Sequence, residues 1–449
     1  LICIFGKNNI GKSYATSIIY LIIKNILKAK SHQKHIFDAL RNGGMEGRRV
    51  VERVEAAINA LRNNKDEVTI TEELAYLAKY AVQHFFMENI QQSLWTTFND
   101  LATLRGRRRQ DAPRIACVTD SFKIVIKIFE SDIVLEDVIF LKKIMIKIQK
   151  NNNQSFSIRC ECPDCFVFTL DGQIDSNLSK DILISEFISK FYQELTQNID
   201  GVYYFPASRS GLYQSLNAFS QIFAELSKNR RGFKSGRVDI PSIPEPVSDY
   251  FLGMSTIQTR NKAGNAPIAE IVKEMERQIL KGDVKFNEAD KKIYYAPHRT
   301  GLNLTLSMTS SMVSEITPIV SYLKYIIAYS PKANDSKSVF FIEEPEAHLH
   351  PEAQILLMEA FAKLIKENVK IIFTSHSNYM FNKINNLILN GDIPLDAAEA
   401  IVLENGPKGS FSKTSAKDEF GIEDENFIDA AEGLFNEKML IIESMNKKT

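Results

Sequence analysis

Hydrophobic and polar positions repeat with two different periods along this chain, and the places where the period changes divide it. Leu1 to Phe5 form an unbroken apolar run, the pattern of a short buried strand. Residues 10–28 then carry Ile18, Ile19, Leu21, Ile22, Ile26 and Leu27 at helical spacing. Residues 30–112 lack strand alternation and read as helices, clearest in RRVVERVEAAINALRN and in the stretch from TEELAYLAKY to LATL. From about 113 to 170 the period falls to two: RIACVTD, FKIVIKIFE and FSIRCECPDCFVFTLDG read as half-buried strands broken by polar turns. Helical spacing returns over 180–197.

The second half repeats the alternation of strand and helix. GVYYFPASRSGLYQS, 201–215, reads as a buried strand running into a loop that holds Arg209. A helix over 212–228, an exposed proline-rich linker VDIPSIPEPVSD and a helix over 267–280 follow. GDVKFNEADKKIYYAP and GLNLTLS read as a meander of strands. Val339 to Ile342 then form a wholly apolar strand that ends on Glu343 and Glu344. A helix with Leu357, Phe361 and Leu364 on one face leads to a second apolar strand, Val369 to Phe373, which ends at Thr374-Ser375-His376. Such a strand–helix–strand unit belongs to a parallel sheet, so the fold class expected is α/β.

Composition changes this picture little. At 449 residues the chain exceeds one comfortable core, so two lobes or one core with large insertions are expected. Lys+Arg and Asp+Glu both number 55, which excludes a globally basic protein and makes any anion site local. No uncharged apolar run approaches the roughly 18–20 residues of a membrane span, and no signal peptide precedes the first strand, so the cytoplasm is the expected location. The chain starts with Leu rather than Met and enters a strand at once; upstream residues, among them a strand completing the first pocket, are expected to be missing. Cys160, Cys162 and Cys165 lie within RCECPDC. They can hold zinc with a fourth ligand such as Cys117 or a histidine, but reduced cysteines on a hairpin are the preferred reading.

Candidate chemistry sits at strand ends. Gly6, Gly11, Lys12 and Ser13 in FGKNNIGKS match G-x-x-x-x-G-K-[ST], here between a strand and a helix. In that pattern backbone N–H groups from Gly6 through Lys7, Asn8 and Asn9 to Gly11 cradle phosphates, Lys12 reaches the terminal phosphates and Ser13 ligates Mg²⁺. ATP with Mg²⁺ is the ligand expected. Two adjacent acids at a buried strand end are costly without a cation, and Mg²⁺ beside a triphosphate supplies one. By the chemistry of phosphoryl transfer, Glu343 holds the Mg²⁺ hydration shell, Glu344 orients or deprotonates the attacking water, and His376 contacts the γ-phosphate.

Together GKNNIGKS, VFFIEEPEAHLHP and FTSHS resemble the ABC-class ATPases that include SMC and RecF-type repair proteins, and more closely the OLD-like branch. The resemblance covers about 1–28 and 200–440. It implies a P-loop NTPase of ABC ATPase-head type, split over 1–29 and 200–449, with a helical insertion at 30–112 and a β-rich subdomain with a helix at 113–199. It also implies a signature segment, LSMTSSMVSEITPI, in which Ser310 and Ser311 complete the nucleotide site of a neighbouring head in a homodimer or higher oligomer; Met312 stands where a glycine is usual. YYFPASRSGL and FIDAAEGLFNEKMLII further resemble ATPase subunits of anti-phage defence systems such as PARIS and Septu. OLD nucleases continue into a Toprim domain that is not expected here. The implied role is a regulatory ATPase that senses a phage protein and controls a separate effector nuclease, without a membrane. Two alternatives stay open. One is a RecF- or SMC-like repair ATPase gripping duplex DNA through RGRRRQDAPR and KNRRGFKSGR. The other is a scaffold that binds ATP but barely hydrolyses it.

Overall fold

The computed structural model describes residues 1–7, 10–31, 40, 44–62, 67–69, 71–104, 112–130, 132–141, 146–150, 155–160, 170–173, 176–215, 243–258, 264–329, 337–406, 409–418, 420–423, 433 and 435–442. Two compact units emerge: Leu1–Tyr20 with Gly201–Thr449, and Leu21–Asp200.

The first unit is built on a six-stranded sheet of β1 (Ile2–Gly6), β2 (Ile199–Phe205), β3 (Lys337–Glu343), β4 (Val369–Thr374), β5 (Glu399–Gly406) and β6 (Gly409–Thr414). The order across the sheet is β6-β5-β1-β4-β3-β2. β1 runs parallel to β4 and β5, β4 parallel to β3, and β6 returns antiparallel to β5. Sequence order and spatial order thus diverge: β1, the first strand of the chain, lies between β4 and β5. Val339, Phe340, Phe341 and Ile342 are all at most 1% exposed, which is why β3 reads as an apolar run rather than an alternation.

Helices of this unit are α1 (Lys12–Ser31, crossing the division at Tyr20), α2 (Glu245–Ser255), α3 (Ala266–Met275, continuing as a π-turn Glu276–Leu280), α4 (Ser311–Tyr322), α5 (Pro351–Lys366) and α6 (Asn378–Leu389). α5 joins β3 to β4 and fully buries Leu357, Phe361 and Leu364, as its spacing predicts. An antiparallel meander, Gly282–Asn287, Lys292–Pro297 and Leu304–Thr305, stands where the alternation places it.

Two expectations change here. The end of the proline-rich linker, 245–249, is the first turn of α2, because Pro246 sits where a helix needs no backbone donor. Arg209 does not lie in a loop: helical structure begins at 209 and runs to 215, and the remainder of the helix expected over 212–228 lies outside the described residues.

In the second unit, helices Gly44–Arg62, Thr71–Ala81 and Glu88–Phe98 accompany a long helix, Ser176–Thr196. Arg114–Val118, Phe122–Ile128 and Ile133–Phe140 form an antiparallel sheet, over which Phe122 stacks on Phe191 at 4.7 Å. A strand that the helical pattern of 30–112 hides, Glu67–Thr69, pairs with Ile146–Lys150 and begins a four-stranded sheet. Three residues are too few to show a period. Cys162 and Cys165 lie outside the described residues, and only the backbone of Cys160 is described, in strand Ser155–Cys160. Among the described residues no group of three or more His, Cys, Asp or Glu could hold a metal, and no helix is long and apolar enough to cross a membrane.

Candidate nucleotide-binding site

Parallel pairing brings three carboxyl-terminal strand ends to one edge: Ile4 of β1 and Glu343 of β3 are both level with Thr374 of β4. Ligands of open parallel sheets bind at that edge, where the chain order reverses on either side of a central strand. β1 leaves the sheet at Gly6, whose φ of +141° suits glycine, and a Cβ there would collide with Ile10 Cδ1 and lie 2.6 Å from the Leu403 carbonyl oxygen. The loop is therefore pressed against β5, and Gly11, at φ +94°, turns it into α1. The N-terminus of a 20-residue helix faces the loop, with the partial positive charge that suits an anion.

Lys12 is buried, and its Nζ donates to the carbonyl oxygens of Gly6 at 2.8 Å and Lys7 at 2.9 Å. The ammonium thus closes the loop on itself. Burial pushes its pKa below the usual lysine value, while Glu344 and Glu346 act against that shift. Lys7 and Ser13 are exposed, and Asn8 and Asn9 lie outside the described residues.

The two acids at the end of β3 are separated by environment. Glu343 is buried, and its Oε1 accepts from the Tyr204 hydroxyl at 2.7 Å while its Oε2 accepts from the Ala207 amide at 3.1 Å. Tyr204 stays a neutral donor, because burial first and the Glu343 charge second push its pKa up. The Glu343 charge is thus met by hydrogen bonds inside the protein, and its burial by itself does not demand a cation. Glu344 is half-exposed and holds a φ of +43°, a left-handed backbone that costs a side-chain-bearing residue about 1–2 kcal/mol. Its amide donates to Thr374 O at 3.1 Å, which keeps that turn closed. His376 Nε2 stands 3.9 Å from Glu344 Oε1. Burial, then Lys12, lower the His376 pKa against the pull of Glu344, so its imidazole is neutral at pH 7.

Four functional side chains escape sequence reasoning or are misplaced by it. Besides Tyr204, these are Arg209, Glu315 and Glu346. Arg209 is fully buried and sends Nη1 to the Glu343 carbonyl at 2.6 Å and Nη2 to the Glu344 carbonyl at 3.2 Å. The same guanidinium pairs with Glu315 Oε2 at 3.3 Å, and Glu315 also takes the amides of Arg209 and Ser210. Glu315 belongs to α4, the helix that starts at the signature serines. A buried ion pair therefore connects the backbone of the two strand-end acids to the helix of Ser310 and Ser311. The signal in sequence was a lone glutamate on an apolar helix and an arginine between two serines, 106 positions apart. Replacing Arg209 with Met is expected to destabilise the protein by about 3–5 kcal/mol, because Glu315 is left buried without its partner. Adding Glu315→Gln should recover part of that loss in urea unfolding; additive losses would contradict the pairing.

Glu346, in the turn after β3, accepts from Ser375 Oγ at 2.8 Å and the His376 amide at 2.6 Å, and so fixes the end of β4. Its Oε2 is buried without a partner among the described residues, and burial raises its pKa above 4.5. An acid with a folded pKa above its unfolded value contributes stability that is complete below the unfolded value and is lost as pH rises through the folded one. Measured without nucleotide, wild type should therefore gain stability over Glu346→Gln as pH falls from about 8 to 4. A difference that is flat or grows with pH would contradict it.

Ser310 caps α4, its Oγ accepting from the Val313 amide at 3.4 Å, and Ser311 opens the helix; both are exposed. Among the described residues no hydrogen bond joins either side chain to the phosphate loop.

The donor set fits a nucleotide with Mg²⁺: a glycine-bearing loop at a helix N-terminus, the Lys12 ammonium, and the hard oxygens of Ser13 and Glu343. Mg²⁺ needs few protein ligands when phosphates and waters complete its shell.

An α/β protein with a phosphate loop at the end of its central parallel strand and acids at the end of a nearby strand is a P-loop nucleotide-binding protein. The chain belongs to the AAA ATPase domain family, whose AAA_15 model matches residues 1–381. No curated protein sequence matches it. Solved structures similar to it include an Smc head bound to the C-terminal winged-helix domain of ScpA, at 12% identity over 92% of this chain and 89% of that one, with a TM-score of 0.32. Another is the Smc head domain with an extended coiled coil bound to the C-terminal domain of ScpA from Pyrococcus furiosus, at 12% identity over 98% and 93%, with a TM-score of 0.30.

Proposed function

We propose that this ATPase hydrolyses Mg-ATP in a site completed by the head of a second copy, and that the assembly senses a phage protein and controls a separate effector nuclease. The observation that carries the shared site is the exposure of Ser310 and Ser311 at the start of α4, with no tie to their own phosphate loop among the described residues. A helix N-terminus with two hydroxyls is suited to a neighbour's γ-phosphate. Within one subunit, Lys12 and the loop amides hold the phosphates, Ser13 and Glu343 offer oxygens to Mg²⁺, Glu344 orients or deprotonates water, and His376 meets the γ-phosphate. When bound, Mg²⁺ would be held by Ser13 and Glu343 and would supply charge neutralisation for phosphoryl transfer. Arg209 and Glu315 then transmit the position of the Glu343–Glu344 backbone to α4.

Effector control rests on the resemblance to defence ATPases. An apolar exposed segment supports it: Phe435, Leu440 and Ile441 are each more than half exposed, a surface that suits a protein partner. Turnover per subunit should rise with protein concentration until assembly saturates; a rate independent of concentration down to dilute protein would contradict the shared site. Purification from the native operon should bring a nuclease with the ATPase, and its absence from an active preparation would remove the effector role. The duplex-DNA alternative depends on 105–114 and 228–237, nearly all of which lies outside the described residues. A salt-dependent DNA mobility shift separates it from the sensor reading.

A further inference from the structure

The unit Leu21–Asp200 contains a cavity of about 640 Å³ that the ATPase site does not use. Arg49 and Arg53 line it from helix Gly44–Arg62, and Tyr76, Lys79, Tyr80 and His84 line it from Thr71–Ala81 and the π-turn Val82–Met87. The arginines are one turn apart, and Tyr76, Lys79 with Tyr80, and Gln83 with His84 recur every three to four residues along one face. Two helix faces therefore present cations and rings to a common space. Gly47 allows this approach: a Cβ there would lie 2.6 Å from the Leu40 carbonyl oxygen and 3.1 Å from the Tyr80 hydroxyl. Tyr80 is only 5% exposed and forms a fixed floor, with its ring 4.1 Å from that of His84. Tyr76, half exposed, has the Arg53 guanidinium 4.5 Å from its ring centroid.

Two arginines and a lysine line this space, and no carboxylate among the described residues does. Glu72 and Glu73 stand one turn before Tyr76 and are not part of the lining. Cations gathered without counter-charge repel one another unless an anion joins them, and arginine is the side chain that grips phosphate in a fork. Aromatic faces beside such a fork are what a nucleobase stacks on. The volume falls within the ~300–1,000 Å³ of small-ligand sites.

We propose that this cavity binds a nucleotide unit, with its phosphate held by Arg49, Arg53 and Lys79 and its base stacked against Tyr76. The unit comes from a free mononucleotide or from a single strand, which share this chemistry. The site is independent of the phosphate loop.

The test uses the full chain and three probes: UMP, an oligouridylate of about ten nucleotides, and ribose 5-phosphate. None carries the β- and γ-phosphates that Lys12 addresses. Binding of UMP or the oligomer is expected, with Tyr76→Ala weakening it about 5-fold or more. Arg49→Gln/Arg53→Gln should weaken it about 10-fold or more. For the oligomer it should also reduce the slope of log affinity against log salt by up to about 0.7, the value for the one phosphate that the two arginines share. Arg53→Lys should lose more than half of the affinity despite its retained charge, because lysine lacks the guanidinium fork that grips phosphate. Melting temperature and ATP turnover should stay at wild-type values in all of these variants. Binding of both probes, or of UMP alone, supports the proposal with a free nucleotide as the source; binding of the oligomer alone supports it with a strand as the source. Failure of both to bind, equal affinity in wild type and the double variant, or ribose 5-phosphate binding as tightly as UMP would overturn it.

Discussion

Lys12→Ala is expected to weaken ATP binding sharply in equilibrium titration. The Lys12 ammonium is buried at the root of the loop and bonded to the Gly6 and Lys7 carbonyls, so it is the cation already placed where the β- and γ-phosphates enter. Lys7, the other lysine of the loop, is exposed. Arg209, the other buried cation among the described residues, is committed to the Glu343 and Glu344 carbonyls and to Glu315. Removing one partner of such a desolvated charge contact costs about 2–5 kcal/mol, a loss of affinity of roughly 30- to 5,000-fold. Alanine also leaves two loop carbonyls without their donor, so the empty loop is less ordered. Wild-type affinity in this variant would show that the loop does not hold the nucleotide through Lys12.

Glu344→Gln should keep Mg-ATP bound and slow its hydrolysis by about 10²–10⁴-fold, the range for loss of a positioned base. The geometry favours Glu344 over Glu343 for this role. Glu343 is enclosed by Tyr204 and the Ala207 amide, whereas Glu344 is half-exposed, 3.9 Å from His376, on a turn with a left-handed backbone. Glutamine preserves shape and hydrogen bonding but not basicity. Glu343→Gln should instead weaken Mg²⁺ dependence. Loss of binding in both variants alike would contradict this division.

How much of the site could be read from sequence follows from how far apart its parts lie along the chain. Gly6 to Ser13, Glu343–Glu344 and Thr374–His376 each announce themselves within a few residues, because a strand, its end and the next helix are local features. Their convergence was also legible, since parallel strands place all carboxyl ends on one edge. The buried Arg209–Glu315 pair was not, because each residue looks like a surface charge until its partner is known. Glu346 was legible as part of a motif but not as the residue that fixes Ser375 and His376. The sheet order was hidden as well: β5 pairs with β1, from the other end of the chain, over a separation that periodicity cannot express, and β6 joins the sheet only as the hairpin partner of β5. In α2 the prolines suggested a linker, whereas a helix tolerates proline in its first turn.

The most direct test of the shared site is activity in a mixture of Glu344→Gln subunits with Ser311→Arg subunits, each inactive alone. In a mixed two-fold pair, one interface keeps an intact Glu344 opposite an intact Ser310–Ser311 segment, while the other carries both defects. Free exchange at equal amounts should therefore restore about a quarter of wild-type turnover. No recovery, with mixed pairs demonstrated by differential tagging, would mean that each subunit hydrolyses ATP by itself or that both interfaces must act together, and would contradict a site completed by a neighbour.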